Sequence, residues 1–105
     1  MKKSLVTIGI PVYNGELLMK KCIESVLSQT YENFELIISD NASTDSTPDI
    51  CEEFLKKDNR ITFVRQNENM GQNWNFNFPL EKANGEYFVW VVADTILSPE
   101  FIEKN

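Results

Sequence analysis

Ser4-Leu-Val-Thr-Ile-Gly-Ile10 running into Pro11-Val-Tyr-Asn-Gly15, and Phe34-Glu-Leu-Ile-Ile38 running into Ser39-Asp-Asn-Ala-Ser-Thr-Asp45, give one pattern twice. Each is a short apolar run of β character that stops at polar, turn-forming residues and gives way to a helical pattern. Strands and helices in that alternation build an open α/β sheet, and such sheets bind ligands beyond the carboxyl ends of their strands. Tyr13, Asn14, Asp40 and Asn41 are therefore expected to face one crevice.

Outward from those two stretches, strands are expected over Val6–Ile10, Glu35–Ile38, Ile61–Val64 and Tyr87–Val92. A first helix over Glu16–Ser28 carries Leu18, Cys22, Ile23, Val26 and Leu27 at helical spacing. A second over Pro48–Lys57 has Thr47 as its cap, Pro48 in the first helical position and Asp49 in the first turn. A third spans Asn73–Ala83, where Pro79 calls for a kink or a broken start. Ser98-Pro99-Glu100 opens a fourth. The alternation implies right-handed crossovers and a mostly parallel sheet with helices on both faces. No internal repeat or low-complexity linker interrupts it, and the chain stops just as the helix opened at Ser98 begins, which suggests a cut through a larger domain.

At 105 residues the chain is one domain at most. A net charge of −6 argues against a nucleic-acid groove, which wants a basic face, although a metal ion or backbone amides can still neutralise a small phosphate ligand. With no histidine, acid–base work falls to a carboxylate, and no Ser-His or Cys-His pairing can exist. Cys22 and Cys51 are in no C-x-x-C arrangement and are expected as buried, reduced thiols. Met1-Lys-Lys before Leu5–Val12 looks superficially like a secretion signal, but the apolar run is short, contains Thr7 and Gly9, and leads to no small-residue cleavage site. No stretch approaches the ~20 apolar residues of a membrane span. The expected location is cytoplasmic, extending to the inner face of a membrane for a longer parent protein.

Asp94, in Trp90-Val-Val-Ala-Asp94-Thr-Ile-Leu97, is a carboxylate at the carboxyl edge of the fourth strand. It suits a magnesium or manganese ion on a diphosphate, which needs only one or two protein carboxylates, and it suits equally a cap on the turn before Ser98. Asp40 and Asn41, with Ser43, Thr44 and Asp45 behind them, read either as ligand contacts or as a polar loop leading to a helix cap. Tyr13 can stack on a base or pack within its own loop. Neither G-x-x-x-x-G-K-[ST] nor G-x-G-x-x-G is present, which removes ordinary P-loop and dinucleotide sites.

Taken in order, Val6-Thr-Ile-Gly-Ile-Pro-Val-Tyr-Asn-Gly15, Cys22-Ile-Glu-Ser-Val-Leu-Ser-Gln-Thr-Tyr31, Phe34 to Asp45, Asn69-Met-Gly71, Ala83-Asn-Gly-Glu-Tyr87, Ala93-Asp94 and Leu97-Ser-Pro-Glu-Phe101 resemble the family 2 glycosyltransferases, inverting enzymes of the GT-A fold. The resemblance covers essentially the whole chain. It implies that residues 1–105 are the N-terminal nucleotide-sugar-binding part of one glycosyltransferase domain, with the acceptor-binding half and its carboxylate base beyond Asn105. Tyr13 would line the nucleobase, Asp40 and Asn41 would approach base or ribose, Pro11 and Asn14 would shape the first loop, and Asp94 would serve a Mn2+ or Mg2+ diphosphate. The partners implied are a nucleotide-diphosphate sugar donor and a glycan or lipid-linked acceptor, with polysaccharide synthesis as the setting and no prescribed oligomeric state.

Three positions depart from the family pattern. The acidic loop usually carries two carboxylates, whereas Val92, Ala93 and Thr95 flank Asp94 here; Thr95 would be a weaker, neutral metal ligand. Asn41 stands where an Asp is usual, which loosens any preference for uracil. Phe76 stands before Asn77 where many members have an arginine. The alternatives are a catalytically inactive nucleotide-binding relative, consistent with Val92, Phe76 and Thr95, and a nucleotidyltransferase, for which Pro11–Gly15 lacks the glycine- and basic-rich loop.

Overall fold

The computed structural model describes residues 4–104; Met1–Lys3, which carry the signal-like charges, and Asn105 lie outside the described residues. The elements alternate as β1 (Val6–Val12), α1 (Met19–Leu27), β2 (Phe34–Asp40), α2 (Thr47–Leu55), β3 (Ile61–Arg65), α3 (Gln72–Lys82), β4 (Tyr87–Trp90) and α4 (Phe101–Lys104). The strands form one parallel sheet in the order β3-β2-β1-β4. The chain thus builds outward from β1 to β3, then crosses back to lay β4 on the other side of β1. That reversal makes the ends of β1 and β4 diverge, the switch point at which α/β sheets open a crevice.

Alternate residues of a strand face opposite sides of the sheet. Ile8, Ile10 and Val12 of β1 and Leu36 and Ile38 of β2 join one buried cluster with Met19, Cys22, Ile23 and Val26 of α1 and Cys51 and Phe54 of α2. Fully burying each of these large aliphatic side chains contributes about 1.5–3 kcal/mol. The other face is built on small residues. A Cβ on Gly9 would sit 2.6 Å from the Phe88 ring and 2.7 Å from Pro79 Cβ, so α3 lies almost against the backbone of β1. Pro79 is buried there inside a helix that runs unbroken from Gln72 to Lys82, so the expected broken start does not occur. A proline inside a helix costs about 3 kcal/mol; the close packing on Gly9 is the compensating contact.

Pro11 sits within an interior strand at no cost to the ladder. The Gly9 carbonyl accepts from Val91 on the β4 side, so the missing N–H of Pro11, two residues on, also faces that side. The β1–β4 pairing has already ended at Gly9 opposite Trp90. Other boundaries shift for local reasons. Helix α1 begins at Met19, not Glu16, because the Glu16 amide and side chain are bonded to Asp45 and Ser46. Helix α2 takes Thr47 into its first turn and leaves Ser46 at the cap, since the Thr47 amide is bonded by Asp45. Strand β4 ends at Trp90, two residues early, and α4 begins at Phe101. Among the described strands β4 is an edge, and it exposes Tyr87 and Trp90.

At the amino end of the sheet, Thr7 donates to Glu35 at 2.5 Å and accepts from the Gly85 amide at 2.8 Å. The Asn84 amide and carboxamide also donate to Glu35, tying the turn before β4 to β1 and β2. Burial acts to raise the Glu35 pKa, but these donors outweigh it and hold the carboxyl below its usual range. Its stabilisation is therefore complete above the ordinary glutamate pKa and is lost as the pH falls through the lower, folded value. Glu35→Gln should lower the unfolding midpoint at neutral pH and flatten the acid limb of a midpoint-against-pH curve measured by calorimetry; parallel curves for the two proteins would refute this role. Gly9→Ala should push α3 off the sheet and cost about 1–3 kcal/mol in denaturant unfolding, with an unchanged midpoint as the contrary result.

Candidate functional site

The carboxyl ends of β1 and β2 carry two polar loops that bond to each other more than to themselves. The Asn14 amide donates to Ser43 Oγ at 2.8 Å, the Gly15 amide to Thr47 Oγ1 at 2.9 Å and the Glu16 amide to Asp45 Oδ2 at 3.2 Å. In return the Thr44 amide donates to Asn14 Oδ1 at 2.8 Å and the Ser46 amide to Glu16 Oε2 at 3.0 Å. Side chains of each loop thus satisfy the backbone of the other, as turn-forming Asn, Asp, Ser and Thr do within one turn. Burial acts upward on the Asp45 carboxyl, but its bonds from the Thr47 hydroxyl and amide and from the Glu16 amide outweigh it and hold the pKa low. Asn14 and Ala42 take the left-handed backbone conformation, with φ of 52° and 64°, which the interlocked loops must stabilise.

Beside the interlock lies an open crevice of about 560 Å³. The first loop lines it from Pro11 to Gly15, α3 contributes Gln72, Asn75 and Phe76, and the segment after β4 contributes Val92, Ala93 and Asp94. Gly71, at φ 91°, turns the chain into α3 at its edge. Asn75 is buried and fixed to β2, donating to the Ser39 carbonyl and accepting from its hydroxyl. Asp94 is exposed and, among the described residues, is the only carboxylate on the lining, which carries no lysine or arginine.

Of the residues singled out by sequence, Pro11, Tyr13, Asn14, Asn41 and Asp94 come together on this crevice. Tyr13 is half exposed. Asn41 is on the lining, yet its carboxamide is engaged: Oδ1 accepts from the Met70 amide, and Nδ2 donates to Asn69 Oδ1 and the Gly71 carbonyl. It organises the turn before α3. Asp40 does not reach the crevice, which corrects the expectation that it faces it. Its position in β2 turns it inward, where it is wholly buried and bonded to the Ser43 amide and hydroxyl. Thr95 is not a lining residue, and its amide closes a turn on the Val92 carbonyl. Among the described residues no group of three or more acidic or cysteine side chains could hold a metal ion.

Residues that sequence reasoning did not assign also set the site. Gln29 is buried; it donates to the Ser98 carbonyl and accepts from the Ile102 amide, anchoring the chain just after the Asp94 loop. The only signal for it was a glutamine directly after the apolar face of the first helix. Cys22 lies under the same loop, its thiol directed at the Val92 carbonyl. Burial, with the nearby Asp94 charge, pushes it up to about 11, and burial pushes Cys51 to about 12. Both are free thiols and inert as nucleophiles. No helix among the described residues is long and apolar enough to cross a membrane.

The family model for glycosyl transferase family 2 matches residues 7–104. The chain is 36% identical over 98 residues to glycosyltransferase GlyA of Streptococcus pneumoniae, covering 93% of this chain and 14% of that protein. It is 36% identical over 104 residues to the putative glycosyltransferase EpsH of Bacillus subtilis, covering 99% of this chain and 30% of that protein. Among solved structures, S. aureus TarS in complex with UDP superposes with a TM-score of 0.87 at 25% identity, covering 94% of this chain and 30% of that one. The mannosyltransferase PcManGT of Pyrobaculum calidifontis, in complex with GDP-Man and Mn2+, gives 0.85 at 27% identity, covering 93% and 30%. The chain spans a third or less of each of these proteins, and with a match across almost all of its own length it belongs to glycosyltransferase family 2 and has the GT-A fold.

Proposed function

We propose that this chain is the donor-binding part of an inverting glycosyltransferase, which moves a sugar from a nucleotide-diphosphate sugar to a glycan or lipid-linked acceptor. One observation carries the reading: a single crevice at the carboxyl ends of β1 and β4 holds an exposed aromatic ring, a row of carboxamides and one carboxylate. Tyr13 would stack on the base, and the interlocked loop would hold its ring in place. The Asn14 carboxamide, its oxygen held by Thr44, would offer its NH2 as a donor, and the Gln72 carboxamide a donor and an acceptor, to base or ribose. TarS with UDP and PcManGT with GDP-Man support a nucleotide-sugar donor by kinship.

A divalent cation fits the lining in a limited way. Asp94 is one exposed carboxylate, and an ion on a diphosphate needs only one or two, with phosphate oxygens and water completing the shell. Asp94 would hold it, while Thr95, which is not on the lining, would add little. Such an ion supplies positive charge for the departing diphosphate. Asp94 keeps that charge at the mouth of the crevice. An acceptor hydroxyl, deprotonated by a carboxylate outside these residues, would attack the anomeric carbon opposite the leaving diphosphate and invert it. A second reading, a relative that binds nucleotide without transfer, is favoured by that lone carboxylate.

Titration of the intact protein by calorimetry with UDP, GDP, CDP, dTDP and ADP, each with and without manganese, tests the reading. One diphosphate should bind, more tightly with manganese, and Asp94→Ala should remove the manganese effect and sugar transfer. Binding with no manganese dependence would favour the non-transferring relative, and no binding at all would overturn the donor site. Tyr13→Ala should weaken nucleotide binding by about 1–3 kcal/mol through lost stacking; an unchanged affinity would make Tyr13 a packing residue of its loop.

A further inference from the structure

We propose that Arg65 is a positioning residue for the crevice: it balances the buried Asp40 carboxylate and, through Ser43, fixes the backbone at Asn14 that presents Tyr13. The inference rests on the crevice being the donor site. Arg65 ends β3 directly opposite Asp40 in the β2–β3 register. Its Nε lies 3.7 Å from Asp40 Oδ2, and its Nη2 donates to the Ser43 carbonyl at 3.0 Å. Asp40 Oδ2 is buried and makes no hydrogen bond; Arg65 is half exposed at 55%, with Asp40 at 0%. A buried carboxylate oxygen without a partner costs several kcal/mol unless a cation stands by it. The planar guanidinium reaches the carboxylate and the Ser43 carbonyl together, which a lysine ammonium cannot do.

The connection to Tyr13 follows from a single proton. A serine hydroxyl has one hydrogen to give. Ser43 gives it to Asp40 Oδ1, so its oxygen is left as an acceptor for the Asn14 amide at 2.8 Å. The Asp40 charge therefore sets the direction of the Ser43 hydroxyl, and that direction secures Asn14 in its left-handed conformation at φ 52°. Tyr13 is the next residue back along the chain, on the crevice wall. Without Arg65, the carboxylate keeps its burial and loses its cation, and the hydroxyl loses the restraint on the Ser43 carbonyl side.

The test uses hydrogen exchange by mass spectrometry on the intact protein, read on peptides spanning Asn14–Glu16 and Ile8–Ile10, with calorimetric affinity for UDP and GDP in manganese alongside. Arg65→Met should speed exchange at Asn14–Glu16 and weaken nucleotide binding, each by roughly tenfold, the loss of one charge-assisted bond, while exchange at Ile8–Ile10 stays the same. Arg65→Lys should recover part of both, because it returns the charge without the Ser43 bond. In an Asp40→Asn background, Arg65→Met should have a clearly smaller effect on both, since only the bond to the Ser43 carbonyl is then lost. Unaltered exchange at Asn14–Glu16 in Arg65→Met, or an equal loss in the Asp40→Asn background, would overturn the proposal. If exchange responds as expected while the unaltered protein binds neither nucleotide, the positioning role stands and the donor-site reading falls.

Discussion

Two loops at the ends of parallel strands must satisfy their backbone amides without a ladder to join, and here each loop satisfies the other. Ser43, Thr47 and Asp45 accept from the amides of Asn14, Gly15 and Glu16, and Asn14 and Glu16 accept from Thr44 and Ser46. The first-loop wall of the crevice depends on this interlock. It delays the start of α1, draws Thr47 into α2, and stabilises two residues in a backbone region that non-glycine residues seldom occupy. The polar run from Ser39 to Asp45, which looks like a set of ligand contacts, is mostly occupied in holding the first loop.

The opposite wall is set by packing. Because Gly9 has no side chain, α3 approaches the sheet closely enough for Asn75 to bond both polar groups of Ser39. The first two turns of α3 are thereby fixed beside the strand ends, and Gln72 and Phe76 take their places on the lining. Phe76 also gives its carbonyl to the Trp90 indole, which ties the same wall to β4. One wall is thus held by hydrogen bonds between loops and the other by a helix seated on a glycine.

Much of the fold was legible in the sequence because it is written in local periods. The four strands and the three main helices follow from apolar alternation and helical spacing, and the strand-end loops follow from the residues that terminate those runs. What was not legible depends on partners distant in the chain. Pro79 reads as a helix breaker until Gly9, far upstream, is seen to accept its ring. Asp40 reads as a ligand contact until its inward position in β2 and its bond to Ser43 are known. Gln29 carries little local signal beyond its place after the apolar face of the first helix, since its partners at Ser98 and Ile102 lie at the other end of the chain. Tyr13 and Asp94 were legible as lining residues because Tyr13 directly follows β1 and Asp94 lies in the short segment after β4, both at the switch point where α/β sheets open their crevice.

The segment after β4 stands apart from this network. The β1–β4 pairing ends at Gly9 and Trp90, Pro11 offers β4 no further donor, and the next anchors beyond the turn at Thr95 are the Gln29 bonds at Ser98 and Ile102 and the Thr30 amide on the Pro99 carbonyl. Val92 to Thr95 are held by few hydrogen bonds, the Cys22 thiol on the Val92 carbonyl and the turn closed by the Thr95 amide, with Ala93 packed on the core. The lining's carboxylate thus sits on the least tethered stretch of its wall, so Asp94 can follow a ligand by a small adjustment of its own loop without disturbing the interlock or the Gly9 contact.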